Sequence, residues 1–343
     1  MAEENLDSTV QSILPLIKYH FIGEASNHYG EDVEDITYTA TSTSQKRGAS
    51  GRVLISEVWY ECKFGELSAS IAMKFFDNKE SAMRELRNAM ELDIKFRTAP
   101  EFGIPRVIFS STQNPTLIIY EGVIGTNYDE IQHESKANEA GRLLATIHGA
   151  DSRPVNMEIY QNLTRMLGSQ LSVLGREKEI SNLLSLHFER MKDAMSGTNP
   201  FSDYHQSNVM LSMYDQQILK AYVIDPEFMQ KGSFDRMEDV GTFFGSQALD
   251  EYLNVGTISN TLNDLNQFLE GYENKLRELQ GYRLKEMYPY GNPIGFFIAQ
   301  WALMDALDLA LNRGGNLKSD EVQNRVDFVI FILKDVNFEF PTK

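Results

Sequence analysis

Residues 201–227 read FSDYHQSNVMLSMYDQQILKAYVIDPE, and this stretch decides the fold. Val209 to Met213 and Ile218 to Ile224 are apolar and β-branched runs, and the polar turn Tyr214-Asp215-Gln216-Gln217 joins them. In a hairpin the start of one strand lies beside the end of the other. That predicts Asn208, just before the first strand, beside Asp225, just after the second. Asp203 stands five residues before Asn208, and Glu227 two residues after Asp225. Three oxygen-bearing side chains are thereby expected at one spot. Such a set suits a hard cation such as Mg²⁺, which takes one or two carboxylates and completes its shell with water and phosphate.

The chain has 343 residues, enough for one large domain or two lobes with a substantial core. Cys62 is the only cysteine, so no intramolecular disulfide forms, and a reducing compartment is expected. No apolar run reads as long enough to span a bilayer. The N-terminal MAEENLDSTV lacks the basic and apolar regions of a signal peptide. The expectation is a cytoplasmic protein. A net charge of −17 repels nucleic acid and anionic lipid at long range, so neither nucleic acid nor membrane is an expected partner. The same charge favours a cationic substrate. Oligomeric state has no signature here.

Helical spacing marks Asp7 to Ile22, interrupted at Pro15. Asp35 to Ser42 alternates as a strand. A polar loop, TSQKRGASGR, follows, and then a long strand, VLISEVWYECKF. Lys74 is the single cation in the strand SASIAMKFF, and a charge inside an apolar run needs a partner. The helix Lys79 to Arg97 offers Glu80, Glu85 and Glu91. Two further strands end in TLIIY, followed by Glu121-Gly122-Val123-Ile124-Gly125. Beyond residue 125 the pattern is helical, except at the central hairpin. Helices are expected over Glu134 to His148, in Met157 to Met195 with breaks near Gly168 and Gly175, in Asp235 to Leu253, and three times more before the C-terminus.

D-x4-N, a hairpin, then I-D-x-E resembles the catalytic segment of the aminoglycoside phosphotransferase and choline kinase superfamily, the small-molecule branch of the protein-kinase-like fold. VIDPEF and the D-V-G-T-F-F-G of Asp239 to Gly245 are similar to segments of methylthioribose kinases. The likeness extends over about residues 35–310, with the central segment its most specific part. One departure stands out: the usual H-G-D is Phe201-Ser202-Asp203. The resemblance implies an α+β, bilobal fold. A small antiparallel β lobe with one main helix would occupy residues 1–121. A larger helical lobe, 122–343, would carry the catalytic loop and the metal-binding hairpin.

It also implies roles. Lys74 would contact nucleotide phosphates and pair with Glu85, or alternatively Glu91. Ser50 and Gly51 would lie in a phosphate-covering loop. The C=O of Glu121 and N–H of Val123 would face an adenine edge. Asp203 would accept the proton of the substrate hydroxyl. Asn208 and Asp225 would hold Mg²⁺, with Glu227 at a second ion. Asp239 would brace the catalytic loop, and His148 would be a buried structural residue.

The function so implied is an ATP- and Mg²⁺-dependent small-molecule kinase acting on a hydroxyl of a sugar-like, aminoglycoside-like or amino-alcohol substrate. The alternative is a catalytically silent kinase fold that binds a nucleotide or a partner. A protein kinase fits less well, because D-F-G and H-R-D are both absent. Tyr252, Tyr288, Tyr290 and Trp301 are candidates for a cage around an amine, and Asp250 and Glu251 for its charge partners.

Overall fold

The computed structural model describes residues 6–48, 51–113, 115–150, 152–171, 176–191, 193–311 and 319–341. The chain opens with helices α1 (Leu6–Ile13) and α2 (Lys18–Tyr29), joined by a 3₁₀ turn at Leu14–Ile17 that holds Pro15. Three strands follow, β1 (Thr37–Gly48), β2 (Gly51–Cys62) and β3 (Gly65–Phe76), and then helix α3 (Lys79–Phe96). Next come β4 (Phe102–Gly103), β5 (Val107–Ser111), β6 (Leu117–Glu121) and β7 (Thr126–Asn127). Helices α4 (Lys136–His148), α5 (Met157–Leu171) and α6 (Glu177–Met191) lead to β8 (Gly197–Thr198). The expected hairpin is β9 (Val209–Tyr214) and β10 (Gln217–Val223), and β11 (Phe234–Asp235) follows. The chain ends in α7 (Arg236–Val255), α8 (Ser259–Gln280), the short α9 (Leu284–Met287), α10 (Ile294–Leu311) and α11 (Asp320–Lys334).

Two compact units result, one of residues 1–126 with 210–227, the other of 127–209 with 228–343. The α+β class, with an antiparallel sheet in one part and a larger helical part, agrees with the sequence reading. The boundary differs: it falls after Thr126 rather than at residue 121, and the hairpin belongs with the strands rather than the helices. Its physical cause is strand pairing. β10 runs parallel to β4, with Ala221 opposite Phe102 and Tyr222 opposite Gly103, in a sheet of order β4-β10-β9-β7.

The main sheet of the first unit has order β1-β2-β3-β6-β5 and is antiparallel throughout. Period-two alternation divides its faces. Leu54, Val58, Ile71, Met73 and Ile119 are buried against Val10, Leu14, Ile17 and Phe21 of the N-terminal helices. Lys74 and Tyr120, out of phase with Met73 and Ile119, both bond Glu85 of α3. The N-cap Asn78 fixes the start of α3 by accepting the N–H of Ser81 at 2.8 Å.

The polar segment 43–52 is largely strand rather than the expected loop. Thr41 pairs with Glu57, Ser44 with Ile55 and Gly48 with Gly51, so only residues 49–50 lie between β1 and β2. β1 is an edge strand, where polar residues pair through the backbone while facing water. A bulge between Thr41 and Ser44, with Ser42 at φ 53°, absorbs the register shift.

The second unit is helical. α4 packs along α8, and their backbones meet at glycines: a Cβ on Gly141 would lie 2.0 Å from the Phe268 carbonyl oxygen, and one on Gly271 2.1 Å from that of Asn138. α10 is apolar on all sides and packs against α7, α11 and α6. This helix corrects the sequence reading on apolar runs. By length and composition Ile294–Leu311 could cross a membrane, and 61% of it is buried inside the protein.

Candidate active site

In the first unit the candidate residues converge on Lys74. Its Nζ lies 2.5 Å from Glu85 Oε2, 2.7 Å from Asp225 Oδ1 and 3.6 Å from Glu227 Oε2. Lys74 is 6% exposed and Glu85 1%. A buried ammonium is tolerated only when paired in this way. Burial by itself lowers the Lys74 pKa, but Glu85 and Asp225 outweigh it and raise the value, so the ammonium stays charged. Burial also pushes Glu85 up to about 6, with Lys74 and the Tyr120 hydroxyl pulling it down. Tyr120 donates to Glu85 Oε1 at 2.5 Å, fixing the carboxylate from its other side. Of the alternatives left open in the sequence, Glu85 is the partner of Lys74.

Asp225 takes φ +56°, a left-handed conformation that costs a non-glycine residue about 1–3 kcal/mol. Its surroundings hold it there. Oδ1 is bound by Lys74, and Asn88 of α3 donates to the next carbonyl, that of Pro226, at 2.8 Å. The Asp225 side chain is 37% exposed, and Oδ2 has no partner among the described residues. A carboxylate with one oxygen anchored and the other open can accept a metal ion. Glu227 is placed differently: Oε1 meets Arg84 at 3.1 Å and Oε2 faces Lys74. Glu85, Asp225 and Glu227 together present oxygens within 4.8 Å of one another, around the ammonium.

The second unit holds Asp203, Asn208 and Asp239. Asn208 donates through Nδ2 to the Asp203 carbonyl at 3.0 Å and to Oδ2 at 3.3 Å. Its Oδ1 has no partner among the described residues, as a metal ligand requires. Asp203 is one-third exposed, and His205 Nε2 lies 3.6 Å from Oδ2. Asp239 braces this loop. Its Oδ2 accepts the Phe201 N–H at 2.7 Å, and Oδ1 the Ser202 N–H at 2.7 Å. His148 Nε2 lies 2.9 Å from Oδ2, while its Nδ1 is 2.6 Å from the Tyr272 hydroxyl. His148 and Asp239 are fully buried, in the structural roles expected of them.

The departure at Phe201-Ser202 is accommodated without a polar substitute. The Phe201 ring is buried and packs edge-on to Tyr204. Ser202 takes φ +67°, and its hydroxyl is buried without a partner, so the chain bends where the resembled families place glycine.

Other expectations fare unevenly. The Glu121 N–H donates to the Arg106 carbonyl at 2.8 Å, and its carboxylate is held by Arg106 Nε at 2.9 Å. Val123 N–H has no partner among the described residues. Ser50 lies outside the described residues. Gly51 is a packing requirement, since a Cβ there would lie 1.8 Å from the Phe75 carbonyl oxygen. The candidate aromatic cage does not assemble. Tyr288 is buried and donates to Asp235 at 2.6 Å, Tyr252 stacks on Phe331, Trp301 covers Gly245, and Tyr290 is exposed. Glu251 caps α8 instead, accepting the N–H groups of Asn260 and Thr261 at 2.9 and 2.8 Å.

Sequence reasoning missed Arg84, Asn88 and Tyr120, whose types and spacing carry no signal beyond an ordinary helix or strand. It also missed a relay of amides behind the loop. Gln206 donates to Gln247 of α7 at 2.6 Å, and Gln247 donates to Asp264 of α8 at 2.8 Å.

The start of α7 concentrates acids, Asp235 and Asp239 buried and Glu238 half-buried. Asp235 is the N-cap, accepting the Met237 N–H at 2.8 Å, and burial raises its pKa to about 6 against the bonds from Tyr288 and Ser196. Burial raises Glu238 to about 7, opposed by the Tyr160 hydroxyl, 2.6 Å away, and reinforced by Asp239 and Asp235. Both values lie above those of the unfolded chain. Their stabilising contribution is therefore complete below about pH 4 and is lost as the pH rises through 6 and 7. Glu238→Gln keeps an acceptor for Tyr160 and removes the charge. Thermal melts should show the variant close to wild type at pH 5 and more stable by about 1–2 kcal/mol at pH 8, the figure being reduced for the partial exposure of Glu238.

No known family model matches the chain, and no curated protein matches it. Among solved structures it is similar to spectinomycin phosphotransferase APH(9)-Ia in complex with ADP and spectinomycin, at 16% identity over 92% of this chain and 97% of that chain, with a TM-score of 0.45. It is also similar to aminoglycoside-3'-phosphotransferase of type VIII, at 14% identity over 79% and 93% with a TM-score of 0.43. The Mycobacterium tuberculosis PknI kinase domain matches at 13% identity over 86% and 96%, with a TM-score of 0.25.

Proposed function

We propose that the protein is a small-molecule kinase that transfers the γ-phosphoryl group of ATP to a substrate hydroxyl. The observation that carries this reading is the buried Lys74–Glu85 pair with Asp225 on the same ammonium. A lysine fixed by a helix carboxylate and facing a partly open aspartate is arranged to receive phosphate oxygens beside a metal-bound group. Lys74 would exchange Asp225 for the phosphates, and Glu85, held by Tyr120, would keep it in place. Asp225 and Asn208 each retain an open oxygen suited to Mg²⁺. Bound Mg²⁺ would neutralise charge on the phosphates. Glu227 would come into a second ion's reach only if Arg84 or Lys74 gave way.

Asp203 would orient the acceptor hydroxyl. As its oxygen bonds to phosphorus, the bond from the γ-phosphorus to the bridging oxygen breaks. ADP leaves with that electron pair, and Asp203 takes the hydroxyl proton. The acceptor would be a sugar-like, aminoglycoside-like or amino-alcohol hydroxyl.

Calorimetry with ATP and Mg²⁺ tests the site. Wild type should bind ATP in a Mg²⁺-dependent manner. Asp225→Ala should weaken that binding at least about tenfold, the loss of one charge-assisted contact. Absence of Mg²⁺-dependent binding by the wild type would overturn the proposal.

A further inference from the structure

The outer face of α8 carries a second feature that the kinase reading does not use. Together with the C-terminal segment 337–341 it lines a groove of about 520 Å³, all within the second unit. Asn263, Asn266, Glu270, Glu273 and Asn274 contribute from successive turns of the helix, and Glu339 from the opposite wall. Phe338 and Phe340 anchor that wall; both are largely buried, and Phe340 stacks on Tyr288.

Glu273 is the anomaly. It is 3% exposed, and its Oε2 is buried without a hydrogen-bond partner. No ion pair reaches it among the described residues. Buried carboxylates are nearly always bonded, because desolvating one without compensation is costly. The facing cations, Arg277 and Arg283, act on it only at a distance, and burial still raises its pKa. The groove as a whole presents three carboxylates against the single guanidinium of Arg277.

We infer that this groove binds a small organic polyamine, with an ammonium group donating to Glu273. A metal ion does not fit equally well. The carboxylates of the groove do not converge within 4.8 Å as a metal cluster does, and the space far exceeds one ion. Amide oxygens along the helix, Glu270 and Glu273 one turn apart on it and Glu339 on the facing segment match a chain or ring bearing more than one ammonium.

Spermidine is the probe. Calorimetry on the full chain should show saturable one-to-one binding, and Glu273→Gln should weaken it about tenfold or more, as loss of a charged hydrogen bond predicts. Glu270→Gln, at an exposed position where folding is not at stake, should weaken it about threefold. Diffuse attraction to a chain of net charge −17 would instead give several weak sites indifferent to either substitution. That result, an absence of saturable binding, or unchanged affinity in whichever of the two variants folds would overturn the inference. ATP binding is measured separately and does not enter either outcome.

Discussion

Asp203→Asn should lower the rate of phosphoryl transfer by about 10²–10⁴-fold while leaving ATP affinity and the melting temperature close to those of the wild type. The range is that of removing a positioned general base. The separation of effects follows from geometry. Asp203 is one-third exposed, and its contacts are with Asn208 and His205 rather than with the core. Asparagine keeps the shape and the backbone carbonyl that Asn208 Nδ2 also uses, so the loop should persist. What is lost is the group that takes the hydroxyl proton. Turnover is measured with alcohols drawn from thio-sugars, aminoglycosides and amino-alcohols, and with water as the acceptor through intrinsic ATP hydrolysis. An Asp203→Asn protein that turns over at the wild-type rate would remove Asp203 from the chemistry. A wild type that binds Mg²⁺ and ATP but transfers to none of these acceptors would favour the silent alternative.

Much of this arrangement was legible because it rests on local rules. Lys74 was conspicuous as one charge in an apolar strand, and the structure surrounds it with carboxylates as that burial demands. The hairpin followed from two β-branched runs around a polar turn, and Asp215 and Gln216 indeed adopt positive φ there. Its place in the fold was not legible. The pairing of β10 with β4 joins segments more than a hundred residues apart through backbone bonds that any side chains can make. The β1–β2 extension was hidden for a related reason: composition signals a loop, but an edge strand tolerates the same polar residues. Arg84 and Gln247 were invisible because surface-type residues acquire a role only when tertiary packing supplies Glu227 to one and Asp264 to the other.

The largest stability effect is expected from Asp239. Its carboxylate is fully buried and meets three donors: the Phe201 N–H and the His148 ring at Oδ2, and the Ser202 N–H at Oδ1. Asp239→Ala would orphan all three, and each buried donor left unpaired costs about 1–3 kcal/mol. Partial relaxation and water entry reduce the sum, so a loss of about 3–5 kcal/mol is expected in denaturant unfolding. Asp239→Asn separates charge from geometry. One oxygen remains for donors that used two, and the new NH₂ group points at a donor, so about 2 kcal/mol should be lost even though the shape is unchanged. The loop carries Asp203 two residues beyond Phe201, and Ser202 is held in a left-handed conformation by this carboxylate. Both variants should therefore lose turnover as well, and under conditions where they remain folded. A fully active Asp239→Asn protein of wild-type stability would show that the Phe201-Ser202 turn is set by packing around Phe201 and Tyr204 rather than by the brace.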